Sequence, residues 1–115
     1  MRRGSIHLVE LEPSRGSEAD KTRPAVIVSN DAANAVAHGL GRGVVTIVPV
    51  TSNVRRVFPF QVFLTAADAG LDRDSKAQAE QIRSVAVERI GERIGALSNS
   101  SLAALDDAIR LHLAL

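Results

Sequence analysis

Cysteine, tryptophan and tyrosine are missing from these 115 residues, and aromatic side chains reduce to Phe58, Phe60 and Phe63. Without cysteine there is no disulfide and no thiolate metal ligand, which suits a reducing compartment. No apolar run approaches the roughly 18 residues of a membrane-spanning helix. The basic start "MRRGSIHLVE" is followed by acidic Glu10 and Glu12 before any adequate hydrophobic stretch, so no signal peptide is expected. A cytoplasmic location without membrane association is the expectation. His7, His38 and His112 lie far apart, and Asp72 and Asp74 sit in a turn without further ligands, so no metal or other cofactor is expected. Nucleophile-elbow, phosphate-loop and dinucleotide fingerprints are also missing, and the alternating Gly39, Gly41 and Gly43 read as turn residues.

What is present describes an ordinary globular chain, 45% apolar and 23% charged. Its length predicts one domain spanning residues 1–115 with a modest core, so a site must be a surface groove or lie between chains. The net charge of +1 is unevenly spread. Residues 1–64 hold eight basic and five acidic side chains (+3), and residues 65–115 hold six and eight (−2). Twelve of the fourteen basic residues are arginine, whose planar fork matches phosphate, although a solvated mixed-charge surface explains the composition equally well.

Apolar and polar positions alternate in "GSIHLVELEP", predicting a half-buried strand ended by Pro13. A polar loop, "PSRGSEADKT", is longer than usual connections and leads into a buried strand, "RPAVIVSN". "DAANAVAHG" predicts a short helix capped near Asn30 or Asp31 and ended at Gly39. "GVVTIVPVTSN" reads as a third strand and "FPFQVFLT" as a fourth, with Phe60, Val62 and Leu64 on one face. "AADAGLDRDS" reads as a turn, "AQAEQIRSVAVERI" as a fifth strand and "RIGALS" as a sixth. After Ser98, an N-cap, the spacing of Leu102, Leu105, Ile109 and Leu113 predicts an amphipathic helix packed on the sheet. The pattern is a mainly β (α+β) fold: a twisted antiparallel sheet or partly closed barrel with a terminal helix.

If the second and third strands are antiparallel neighbours, Arg23 and the pair Thr51 and Ser52 fall at one edge, bordered by the loop carrying Glu18. Arginine keeps its proton and suits an oxyanion or phosphate, hydroxyls donate to phosphate oxygens, and a carboxylate can accept a proton. The same residues also fit a surface ion pair of Arg23 with Glu18 or Asp20 and a plain turn at Thr51 and Ser52.

Four ordered segments carry a resemblance over essentially the whole length: "RRGSIHLVELEPSRGSEADKTRPAVIVSN", "VPVTSN", "FPFQVFL" and "AQAEQIRSV". The chain resembles the MazF/PemK-like family of type II toxins, and "GSEADKTRPAVIVSNDAANA" and "KAQAEQIRS" are similar to its mycobacterial-type members. The resemblance implies a homodimeric SH3-like barrel of antiparallel strands with a short inserted helix and a C-terminal helix. It implies a metal-independent, sequence-specific endoribonuclease acting on single-stranded RNA, countered by a MazE-like antitoxin laid over the RNA groove. The family's functional arginine falls on Arg23, its threonine on Thr51 and the acidic residue of its "GSE" loop on Glu18, a candidate base or loop organiser. RNA contacts are expected from Ser17, Ser52, Asn53, Arg55, Arg56, Phe58, Gln81 and Arg83.

Metal-free RNA cleavage uses the 2'-hydroxyl as nucleophile and leaves a 2',3'-cyclic phosphate and a 5'-hydroxyl. That reaction needs a cation on the phosphorane, a proton acceptor and a proton donor. Base preference is expected to rest on hydrogen bonds, including those of Asn53, Gln61 and Gln81, because aromatic rings are scarce. Two alternatives remain on the same fold. One is a gyrase-poisoning toxin, whose C-terminal tryptophan has no counterpart in "LHLAL"; the other is a non-catalytic RNA-binding module.

Overall fold

The computed structural model describes residues 1–12 and 21–115. Its strands are β1 (Ser5–Glu12), β2 (Lys21–Ile27), β3 (Val44–Thr51), β4 (Gln61–Leu64), β5 (Ser75–Gln78), β6 (Arg83–Ala86) and β7 (Ile90–Ala96). The helices are α1 (Asp31–Leu40), α2 (Ala66–Ala69) and α3 (Asn99–Leu113). All the strand pairings are antiparallel, in the order β4-β5-β3-β2-β1-β7, with β6 also on β3. This is the mainly β, α+β architecture expected.

The sheet differs from a barrel in one respect: its end strands β4 and β7 do not hydrogen-bond to each other. Helix α2, directly after β4, occupies that side. Gly95 of β7 approaches it so closely that an added Cβ would overlap the Ala69 carbonyl oxygen, so only glycine fits there.

Strand alternation divides the core in two. Ile6, Val26, Val28, Val48, Val50, Leu64 and Ala77 pack with Leu105 and Ala108 of α3. On the opposite face, Val9, Ala25, Ile27, Val45 and Ile47 pack with Ala37 of α1 and with Val85 and Val87. Helix α3 is N-capped by Ser98, whose side chain accepts the Ser101 N–H. Its buried stripe runs through Leu105 and Ala108, while Leu113 is exposed. Helix α1 is fastened from inside: Asn34, fully buried, donates to the Ser29 carbonyl at 2.8 Å and accepts the Ser29 hydroxyl.

Three local expectations are corrected. Helix α1 ends not at Gly39 but one residue later, at Leu40, with Gly41 in the left-handed conformation (φ 66°) at the cap. Phe60 precedes β4 rather than sharing a face with Val62 and Leu64. The long fifth strand is broken into β5, a 3-10 turn at Ala79–Gln81, β6 and a second 3-10 turn at Val87–Arg89. The break has a physical cause: β5 pairs with the end of β3 and β6 with its beginning, so the chain must step between them.

Candidate functional site

The register of β2 on β3 runs Ile27 opposite Ile47, Val26 opposite Val48 and Ala25 opposite Pro49. Continued by two residues, it sets Arg23 across from Thr51. The paired ladder stops where Pro24 and Pro49 remove two N–H donors. Beyond that point β3 takes β5 as its partner, with Thr51 opposite Lys76. Lys76 is in turn opposite Phe63 of β4. Cross-strand partners share a face, so Thr51, Lys76 and Phe63 form one row across three strands, and the continued register extends it to Arg23, which shares a face with its partner Val9.

The row lies on the face covered farther along by α1, past the end of its apolar packing. Arg23 is exposed and Thr51 half-buried. The Thr51 Oγ1 accepts the Asn53 N–H at 3.2 Å, which uses an acceptor position of the hydroxyl and not its proton. The Asn53 Oδ1 accepts the Arg55 N–H at 3.3 Å, folding the chain after β3 into a tight turn. Asn53, Arg55, Arg56 and Lys76 line a cavity of about 370 Å³, rich in positive charge. Lys76 is a long cation held inward, 8% exposed, with Nζ donating to the Arg56 carbonyl at 2.5 Å.

The remaining expected residues are distributed around this row. Arg83, on β6 opposite Ile47, shares the face and stands about 13 Å along β3 from Thr51 at ~3.3 Å per residue. Gln81 is exposed at the end of the 3-10 turn before β6. Ser52 is not brought together with Thr51: it lines a larger cavity of about 420 Å³ with Leu8, Pro24, Val50, Leu71 and Ile94, on the reverse face. That cavity is therefore separated from the row by the strands themselves. Ser17 and Glu18 lie outside the described residues.

The three rings have different surroundings. Phe58 and Phe60 stack in parallel, with centroids 5.3 Å apart and planes 3° apart, and the Arg56 guanidinium sits 5.5 Å from the Phe58 centroid. Phe63 is 45% exposed at the end of the row. Gln61 is buried and engaged twice, accepting the Phe58 N–H at 3.1 Å and donating to Glu80 at 2.6 Å, so it braces the loop. The other Glu80 oxygen is buried without a partner among the described residues. No local signal in the sequence marks Lys76 and Phe63, because the pairings that put them beside Thr51 are long-range.

Among the described residues, no group of three or more histidine, aspartate and glutamate side chains is arranged to hold a metal ion. Nor, among them, is any helix long and apolar enough to cross a membrane.

Comparison with known proteins agrees with the fold. The chain is 62% identical over 113 residues to the endoribonuclease MazF9 of Mycobacterium tuberculosis, covering 98% of this chain and 96% of that protein. Among solved structures it is similar to the MazE-MazF complex of Deinococcus radiodurans, at 26% identity and TM-score 0.80, with 100% and 96% of the chains covered. It is also similar to the Mycobacterium tuberculosis toxin MazF-mt6, at 26% identity and TM-score 0.78, with 96% and 97% covered. Residues 2–113 match the family model for the PemK-like, MazF-like toxin of type II toxin-antitoxin systems, and the chain belongs to that family.

Proposed function

We propose that this protein is the endoribonuclease toxin of a type II toxin-antitoxin pair, a single domain over residues 1–115 acting as a cytoplasmic homodimer. It cuts single-stranded RNA at preferred sequences without a metal ion, and an antitoxin of the MazE type blocks it by covering the groove. What supports this reading is the β2–β3 register, which, continued two residues past Ala25 and Pro49, brings exposed Arg23 toward Thr51 on one face.

The reaction follows from what these groups offer. The ribose 2'-oxygen attacks the adjacent phosphorus, the bond to the 5'-oxygen breaks, and the products are a 2',3'-cyclic phosphate and a 5'-hydroxyl. Arg23 supplies fixed positive charge to the phosphorane and its fork hydrogen-bonds the departing oxygen, which takes its proton from water. The Thr51 hydroxyl donates to a non-bridging oxygen and orients the phosphate. Glu18 takes the 2'-hydroxyl proton in this scheme, a role drawn from the family's "GSE" loop. Asn53, Arg55, Arg56, Gln81 and Arg83 hold the flanking RNA. Phe58, with Phe60 and Arg56 already against it, contributes to the shape of that surface.

The test is cleavage of purified RNA with a chelator present, followed by mapping of the ends. Cuts at a recurring motif, with cyclic phosphate upstream and 5'-hydroxyl downstream, are expected. A substrate with one 2'-deoxy sugar at the cut should bind and stay intact. RNA that is bound but never cut would favour a non-catalytic module, and cutting that requires a divalent ion would overturn the mechanism.

A further inference from the structure

The row does not end at Thr51, and its continuation has the composition of a nucleotide site. Lys76 stands directly opposite Thr51, and Phe63 directly opposite Lys76, on the same face. Neighbouring strands are about 4.8 Å apart, so cation, hydroxyl, cation and ring follow one another at close intervals. The Lys76 bond to the Arg56 carbonyl positions its ammonium against a neutral acceptor, which fixes the charge without cancelling it. The same bond draws the Arg56 backbone toward the row, so that Arg55, Arg56 and Lys76 border one cavity with Asn53. Phe63 is the exposed ring without an aromatic or guanidinium neighbour among the described residues, whereas Phe58 and Phe60 are stacked on each other.

We propose that Lys76 and Phe63 extend the cleavage site into a nucleotide subsite. Lys76, with Arg55 and Arg56, takes the backbone phosphate next to the scissile one, and Phe63 carries a base on its ring. Any base can stack on a phenyl face, so this subsite adds affinity and fixes the strand's direction across Thr51. The inference rests on the RNA-cleaving reading above and deepens it.

Its test separates charge from stacking. The probe is a short, labelled, single-stranded oligodeoxyribonucleotide, which lacks the 2'-hydroxyl and is bound without being cut. Binding is measured by anisotropy between about 50 and 200 mM salt. Lys76→Met should reduce the slope of log affinity against log salt by about 0.7, the value of one phosphate contact on a single strand. Lys76→Arg should restore it. Phe63→Ala should weaken binding about tenfold at every salt concentration with the slope unchanged, and Phe63→Trp should restore the affinity. Arg55→Gln, on an exposed loop where folding is not at stake, should lower the slope as Lys76→Met does.

An unchanged slope in Lys76→Met and Arg55→Gln would overturn the phosphate assignment and leave Lys76 as a loop brace. Unchanged affinity in Phe63→Ala would overturn the stacking. A wild-type protein that cuts RNA but shows neither effect defeats the subsite alone. One that shows both effects yet never cuts RNA keeps the subsite and defeats the cleavage reading.

Discussion

Strands β2 and β3 present the same alternation to both of their faces, and the two faces end differently. On one, Val26, Val48 and Val50, with Val28 just past β2, are closed under Leu105 and Ala108 of the fifteen-residue helix α3. On the other, Ala25, Ile27, Val45 and Ile47 are closed with Ala37 of the shorter α1, and the apolar pattern then gives way to Arg23, Thr51, Lys76 and Phe63. The first face converts burial into stability; the second offers charge at the rim of a rigid sheet. A residue's role is thus set by which side of the strand it faces and by how far the covering helix reaches.

Altering the open face alone should stop the chemistry and spare the fold. Arg23→Ala should lower RNA cleavage by at least about 10² to 10³-fold, the range for losing one donor to a developing oxyanion. Because Arg23 is exposed, the melting temperature should stay near that of the parent. Cleavage rates and thermal melts on the same preparation check both halves; retention of full activity removes Arg23 from the mechanism.

The converse change belongs to the closed face. Leu105 is fully buried in the α3 cluster, and Leu105→Ala should destabilise the fold by about 2–5 kcal/mol through lost transfer energy and an unfilled cavity. Denaturant unfolding measures that loss. Activity per folded molecule should be unchanged, since the strands separate this residue from the row. A specific drop in folded-state activity would show the faces to be coupled.

Much of this division is legible in the amino-acid sequence. The valine-rich strands, the Ser98 cap and the spacing of Leu102, Leu105 and Ile109 are local signals, and all correspond to observed elements. Antiparallel pairing of β2 and β3, which bears Arg23 and Thr51 to one edge, is likewise legible as a conditional statement. The step between β5 and β6 is not, although its trace is present: Ala77 and Ala79 are two apart, but Ile82 and Val85 follow at intervals of three. That phase slip marks the 3-10 turn at Ala79–Gln81. Lys76 has no local pattern to reveal it at all, because its meaning comes from a partner twenty-five positions earlier on β3. Helix α2 reads as a turn because it has only four residues between the Thr65 cap and Gly70.

The segment leading into β1 is fastened to the closed face through Arg3. Arg3 donates through Nε to the Val28 carbonyl at 2.8 Å and through Nη2 to Asp106 of α3 at 2.6 Å. Both ion-pair side chains are partly screened from solvent, at 31% and 28% exposure. Exposed ion pairs contribute little, and partial burial with a short charge-assisted bond raises this one to about 1 kcal/mol after solvent screening. Asp106→Ala alone would misstate that value, because it leaves Arg3 on the Val28 carbonyl; Arg3→Met alone would misstate it in the other direction. A double-mutant cycle of the two isolates the pair. A coupling near 1 kcal/mol that shrinks with added salt is expected, with RNA cleavage unaffected, because the pair braces α3 and stands on the side of the sheet away from Arg23. Zero coupling would mean that apolar packing under α3 holds this face without electrostatic help.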